Sequence, residues 1–143
     1  MKKISILFFA LTALVSGTSF ADEVSDNARQ HFQAIGVGDL SAVMQEYGAN
    51  PQLTWIGGPL DGSYSGAASI SAVWTKLNKA QGPLKVSIDK LEESANPKGA
   101  TVTADVRFEG KDMIKVRYVL TYRDAKLVNE TWQIDPKLGA STY

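Results

Sequence analysis

The spacing of apolar residues changes once along this chain, at Gly82-Pro83, from roughly the 3.6-residue period of a helix to the two-residue period of a half-buried strand. Beyond that point Leu84, Val86 and Ile88 alternate with Lys85, Ser87 and Asp89. Val102, Ala104, Val106 and Phe108 alternate with Thr101, Thr103, Asp105 and Arg107. Ile114, Val116, Tyr118, Leu120 and Tyr122 mark a third strand, and Val128, Trp132 and Ile134 a fourth. Turn-forming residues separate them at Asn96-Pro97-Lys98-Gly99, Glu109-Gly110-Lys111-Asp112 and Arg123-Asp124-Ala125-Lys126. Such short connections predict an antiparallel sheet. Its polar face, with Thr101, Thr103, Asp105, Arg107, Lys115, Arg117, Thr121 and Arg123, is expected to meet solvent or a second copy of the chain.

Upstream, Val24, Ala28, His31, Phe32 and Ile35 form one stripe of an amphipathic helix that starts near Asp22 and is expected to end at Gly36 and Gly38. Asp39 can cap a second helix, Leu40 to Tyr47, with Leu40, Val43, Met44 and Tyr47 inward and Asn50-Pro51 as its breaker. Leu53 to Ile56 has strand character. Residues 57–66, rich in Gly and Pro, predict a loop that could serve as a lid. A third helix is expected from Ala67 to Ala80, with Ile70, Val73, Trp74 and Leu77 on one face. Helices first and a long sheet after them predict an α+β domain whose helices cover one face of the sheet.

The N-terminus reads as a leader rather than as part of this fold. Lys2 and Lys3 precede an apolar run from Ile4 to Val15, too short to span a bilayer comfortably. Ser19-Phe20-Ala21 then places small residues before a cleavage point at Asp22. The expected domain organisation is a signal peptide, residues 1–21, and a single domain, residues 22–143, periplasmic or secreted after cleavage. Loss of Lys2 and Lys3 leaves 13 basic against 15 acidic groups, a net charge of −2. That balance gives no electrostatic reason to expect nucleic acid as a partner, or a membrane once the leader is gone. Forty-four per cent apolar residues with 21% charged is a globular composition. The chain has no Cys and one His, which removes disulfides, thiol nucleophiles, iron–sulfur clusters, cysteine zinc sites and any site needing two imidazoles.

One stretch carries a resemblance. Ala28-Arg-Gln-His-Phe-Gln-Ala-Ile-Gly-Val-Gly-Asp39-Leu40 resembles the opening helix and Gly-Asp-Leu turn of the nuclear transport factor 2-like superfamily, which includes SnoaL-like domains and ketosteroid isomerases. Tyr47, Trp55 before the loop, Gly66 before the third helix and the closing Leu127-Val-Asn-Glu-Thr-Trp132 continue it over nearly all of residues 24–135. The resemblance implies a cone-shaped, curved antiparallel sheet wrapped around three N-terminal helices, with an interior pocket. It implies no particular reaction, because relatives include both enzymes and non-catalytic binders. Of the three isomerase positions, the oxyanion-donating Tyr falls at His31, the general base at Trp55, and the protonated Asp near Val119 or Leu120. Trp55 cannot abstract a proton and Val119 and Leu120 are apolar, so ketosteroid-type isomerisation is disfavoured.

Two candidate sites remain. His31, on the inner stripe of the first helix, and Glu130, between Val128 and Trp132 on the inner face of the last strand, are the candidate acid/base pair. Tyr47, Trp55, Tyr64, Trp74, Tyr118, Tyr122 and Trp132 are the candidate ligand-pocket lining. No motif for a metal, nucleotide or nucleophilic triad is present: Gly57-Gly58-Pro59 lacks the context of a phosphate loop, and no Gly-x-Ser-x-Gly occurs. The expectation is therefore a cofactor-free binder of a small apolar or aromatic molecule, able to form a homodimer through its convex face. The alternatives are a cofactor-independent lyase, isomerase or hydrolase that uses His31 and Glu130, and a purely structural dimer with a filled cone.

Overall fold

The computed structural model describes residues 20–138, so the expected leader lies outside it except for Phe20 and Ala21 in the first turn of α1. Three helices and six strands follow in the order α1 (Phe20–Val37), α2 (Leu40–Gln45), β1 (Tyr47–Ile56), β2 (Gly62–Ser65), α3 (Ala67–Gln81), β3 (Lys85–Asn96), β4 (Gly99–Glu109), β5 (Met113–Arg123) and β6 (Lys126–Ile134). The sheet order is β2-β1-β6-β5-β4-β3. The expected α+β architecture is what forms: a curved sheet with the helices packed into its hollow. Val24, Ala28, His31, Phe32 and Ile35 of α1 are all buried there, as are Ile70, Val73, Trp74 and Leu77 of α3. No described helix is long and apolar enough to cross a membrane.

The elements depart from the sequence reading where a tertiary contact overrides a local signal. Gly36 does not stop α1, which runs on to Val37 and ends at Gly38 with φ 73°. Gly36 is needed instead for contact with β3. Its carbonyl accepts the Leu84 N–H at 2.8 Å, and a Cβ there would stand 2.4 Å from Val86 Cγ2 and 2.8 Å from the Leu84 carbonyl oxygen. Helix α2 is shorter than expected. Asp39 caps it as expected, accepting from Ala42 N–H at 3.1 Å, but Tyr47 belongs to β1, because Leu127 N–H bonds the Glu46 carbonyl at 2.8 Å and draws the chain into the sheet.

Pro51 therefore sits inside a strand, next to Asn50 with φ 50°, where the β1–β6 register shifts between Tyr47 and Gln52. A proline is tolerated at such an irregularity because no ladder N–H is required of it. The β1–β6 pairing is parallel, which corrects the all-antiparallel expectation and makes the sheet mixed. The second half of the expected loop is strand β2, paired antiparallel to β1 through Leu53 and Tyr64.

Two further irregularities move side chains between faces. Strand β3 is twice as long as the Leu84–Asp89 alternation suggested, since a bulge at Lys90, with φ 49°, resets the pairing between Asp89 and Glu92. In β6 the register slips beside Thr121 and Tyr122, so Leu127 rather than Val128 points into the core. Asp105, expected on the solvated face, is 8% exposed, covered by Arg117 at 3.6 Å and Lys90 at 3.9 Å. The Arg123–Lys126 connection is a two-residue turn with positive φ at Asp124 (49°) and Ala125 (59°), the hand that matches strand twist.

The close approach at Gly36 gives a stability prediction. Gly36→Ala improves helix propensity but forces its methyl against a backbone carbonyl that cannot rotate away. We expect a net loss of roughly 1–3 kcal/mol, read as a lower urea midpoint at unchanged slope. An equal or higher midpoint would show that α1 and β3 can separate without penalty.

Candidate functional site

Five elements deliver side chains to one point inside the cone. Glu130 is centred on β6, opposite Leu120 of β5 and beside Leu53 of β1. Tyr118 lies two residues along β5 from Leu120, so it is the diagonal neighbour on the same face and its hydroxyl donates to Glu130 Oε1 at 2.6 Å. His31 reaches across from α1, with Nε2 2.6 Å from the same oxygen. The Tyr47 hydroxyl, from the first residue of β1, donates to Glu130 Oε2, and Trp74 Nε1 of α3 donates to that hydroxyl at 2.9 Å.

His31 is 0% exposed and Glu130 1%, and Tyr47, Trp74 and Tyr118 are buried around them. With both phenols donating, the carboxyl group acts as an acceptor. Nε2 of His31 contacts the same carboxylate as the third partner, and its Nδ1 has no hydrogen-bond partner among the described residues. Burial pushes the phenols of Tyr47 and Tyr118 well above their ordinary value, and the charge of Glu130 adds to the rise. Tyr122 is raised by burial too, and further by Glu130 and Glu46. Tyr47 and Tyr118 are donors to Glu130, and none of the three phenols can serve as a base at physiological pH.

Above this network the cone is filled with aromatic rings. Because β1 runs parallel to β6 with Trp55 beside Trp132, the two indoles stack at 4.3 Å with 22° between planes. Phe108 stacks on Trp132 at 4.9 Å and 19°. Trp74 meets Trp132 edge-on at 5.7 Å and Trp55 at 5.5 Å. The three tryptophans thus form one packed cluster.

An apolar open cleft lies farther out, toward the rim. A cavity of about 270 Å³ lies between α3, residues 59–60 and the ends of β5 and β6, walled by Trp55, Leu60, Leu77, Ala80, Ile114 and Ile134. Of the seven residues expected to line a ligand pocket, Trp55 alone borders this cleft. Tyr47, Trp74, Tyr118 and Trp132 are interior packing, and Tyr122, also buried, lines a separate cavity of about 240 Å³ with Thr101, Thr121 and Arg123. Tyr64 holds the cleft wall from behind, its hydroxyl donating to the Leu60 carbonyl at 2.7 Å. Asp61 Oδ1 accepts the Gly57 N–H at 2.7 Å and ties that loop to itself.

The structure therefore brings His31 and Glu130 together, and it separates most of the aromatics from the open cleft. Sequence reasoning missed Leu60, Leu77, Ala80, Ile114 and Ile134. Their one signal is apolar character next to a Gly-Pro turn or at strand ends, and it names no site. Among the described residues, no three His, Cys, Asp or Glu side chains are grouped so as to hold a metal ion.

The raised tyrosines give a pH prediction. A phenol whose folded value is raised stabilises the fold fully below the unfolded value, near pH 10, and that contribution is lost as pH climbs toward the folded value. Stability should fall above about pH 10 by about 1.4 kcal/mol per pH unit for each of Tyr47, Tyr118 and Tyr122. Their phenolate absorbance should then appear only together with loss of far-ultraviolet circular dichroism. Ionisation of all tyrosines in an intact fold would contradict the burial of the network.

No family model and no curated protein matches this sequence. Solved structures do. A nuclear transport factor 2-like protein of unknown function from Pseudomonas putida superposes with a TM-score of 0.69 at 16% identity, covering 86% of this chain and 93% of its own. A Streptomyces avermitilis protein, provisionally named a dehydratase of the nuclear transport factor 2-like family, gives 0.67 at 13% identity over 80% and 95%. A Sinorhizobium meliloti protein, provisionally named a polyketide cyclase, gives 0.53 at 18% identity over 76% and 94%. At such identities the likeness is one of architecture, and the chain has the nuclear transport factor 2-like fold.

Proposed function

We propose that this protein is an exported binder of a small apolar or aromatic molecule, held at the mouth of the cone and left chemically unchanged. The observation that carries the reading is the apolar cleft against Trp55. Size does not single it out, since clefts of about 240 and 270 Å³ also open elsewhere on the molecule. Those are lined by Lys98, Arg123, Thr101 and Thr121, or by Lys90, Asp105, Arg117 and Thr103, and offer a ring or alkyl chain little to bury. The cleft at Trp55 has the volume for a one- or two-ring molecule, and neighbours of the same fold include the provisional dehydratase and cyclase, whose names point to small-molecule work.

The alternative makes His31 and Glu130 the acid/base pair of a cofactor-independent lyase, isomerase or hydrolase. Their 2.6 Å contact favours it, and so does the bare Nδ1 of His31. Burial weighs against it. Both groups are sealed behind Tyr47, Trp74 and Tyr118, and the carboxylate is already held by three donors.

Indole tests the binding reading. Its titration should quench or shift tryptophan emission saturably. Ala80→Tyr, which places a ring in the cleft from an exposed helix position, should weaken that binding at least about tenfold while preserving stability. Equal affinity in Ala80→Tyr would remove the cleft from consideration.

Export rests on Lys2-Lys3, the short apolar run and Ser19-Phe20-Ala21. A homodimer rests on the convex face, where Ser94, Thr101, Thr121 and Asn129 stand in one cross-strand row of small polar groups. Native mass spectrometry of a periplasmic extract should show twice the mass of a chain beginning at Asp22. A chain retaining Met1 would refute export, and a monomer at micromolar concentration would refute the dimer.

A further inference from the structure

We infer that the molecule taken by the cleft carries one anionic group, a carboxylate in the simplest case, on its apolar body, and that Lys76 selects it. The inference rests on the cleft at Trp55 being the binding site. Two ionisable side chains border that cleft, Lys76 and Asp112, and they are differently placed. Asp112 is already committed: Gln81 Nε2 donates to its Oδ2 at 3.1 Å, and its own N–H donates to Gln81 Oε1 at 3.3 Å. This reciprocal pair clamps the end of α3 to the β4–β5 turn and closes one end of the cleft.

Lys76 lies five residues earlier on α3, which is roughly 7–8 Å back along the helix axis. It is exposed, and its ammonium group has no hydrogen-bond or ion partner among the described residues. The helix holds a second cation, Lys79, and no acid. From the other walls, the carboxylate of Asp61 is turned onto the Gly57 N–H. Asp135, beyond the end of β6, is ion-paired with Arg117 at 3.8 Å, and β6 otherwise brings only Ile134 to the cleft. The cleft thus has a free positive end, an apolar middle floored by Trp55, and a closed acidic end.

A molecule that fills such a space has its ring between Leu60 and Leu77 and its anion at Lys76, with the apolar walls strengthening the charge interaction relative to open water. A cation would meet uncompensated repulsion at that end. A second anionic group would be driven against Asp112. The distance between the two ends suits a single ring with a one- or two-carbon acidic arm.

Three probes of one shape separate the contributions: phenylacetate, its neutral amide and phenethylamine, titrated into the mature protein at low ionic strength and followed by tryptophan emission. Wild type should bind phenylacetate about fivefold more tightly than phenylacetamide, the usual scale for a partly exposed ion pair, and phenethylamine more weakly than either. The preference should shrink in about 0.5 M salt. In Lys76→Met the acid and amide should bind alike, with amide affinity unchanged, whereas Lys79→Met should keep the preference. Equal binding of acid and amide by wild type, or a preference that survives Lys76→Met, overturns the inference and leaves the apolar cleft standing. Failure of all three probes, amide included, to bind in a way that Ala80→Tyr blocks would overturn the cleft reading and this inference with it.

Discussion

A single carboxylate organises the interior. Glu130 is buried in a cone that is otherwise aromatic and aliphatic, where an ion without partners is very unfavourable. It survives because α1, β1 and β5 each supply a donor, His31, Tyr47 and Tyr118, and because α3 supplies Trp74 to hold Tyr47 in place. The arrangement is demanding in both directions. Removing the carboxylate would strand three buried donors at about 1–3 kcal/mol each. Removing a donor would leave a charge under-solvated. A network of this kind specifies more than it stabilises, since it is satisfied in only one relative placement of the helices and strands.

That placement dictates what lies above it. Trp132 is two residues beyond Glu130 on the same face of β6, so fixing the carboxylate fixes the indole, and the parallel pairing with β1 then sets Trp55 against it. Phe108 closes the other side of the stack. The interior that could have been a deep pocket is thereby filled, and open volume moves outward to the rim, where Trp55 presents its remaining surface between Leu60 and Leu77. Polar chemistry and accessible space are thus segregated: the groups able to move protons are sealed inside, and the accessible cleft is almost wholly apolar.

How much of this was legible in the sequence depends on whether one element or two were involved. The inward placement of His31 and Glu130 needed only the helical stripe and the strand alternation, each a property of a single element. The third helix, the strand–turn pattern of β4 and β5 and the inward faces of Phe32, Trp74 and Phe108 were readable for the same reason, although Trp74 was expected to line a pocket and instead packs the core. The parallel β1–β6 pair was not, because its partners are far apart in the chain and Asn50-Pro51 looks like a terminator unless the bulge that accommodates it is known. Tyr47 was legible as inward but was assigned to the wrong element, which hid its role as a donor to Glu130. The slip at Leu127–Val128 and the bulge at Lys90 are likewise settled by neighbouring strands. The cleft was the least legible part, since Leu60, Leu77 and Ile134 are ordinary apolar residues until three elements bring them together.

Trp55 links these observations to function. In the ketosteroid isomerases that the sequence resembles, its position is that of the general base, and the base there requires an open, partly polar interior. An indole at the same point does two things at once. It supplies no proton acceptor, and it stacks on Trp132 at 4.3 Å while its outer edge borders the cleft. The His–Glu pair beneath that stack is buried and hydrogen-bonded, and it ties α1, β1 and β5 to β6. What Trp55 leaves accessible is its outer edge in the cleft, and an apolar molecule seated there, as proposed, would be held by burial of apolar area.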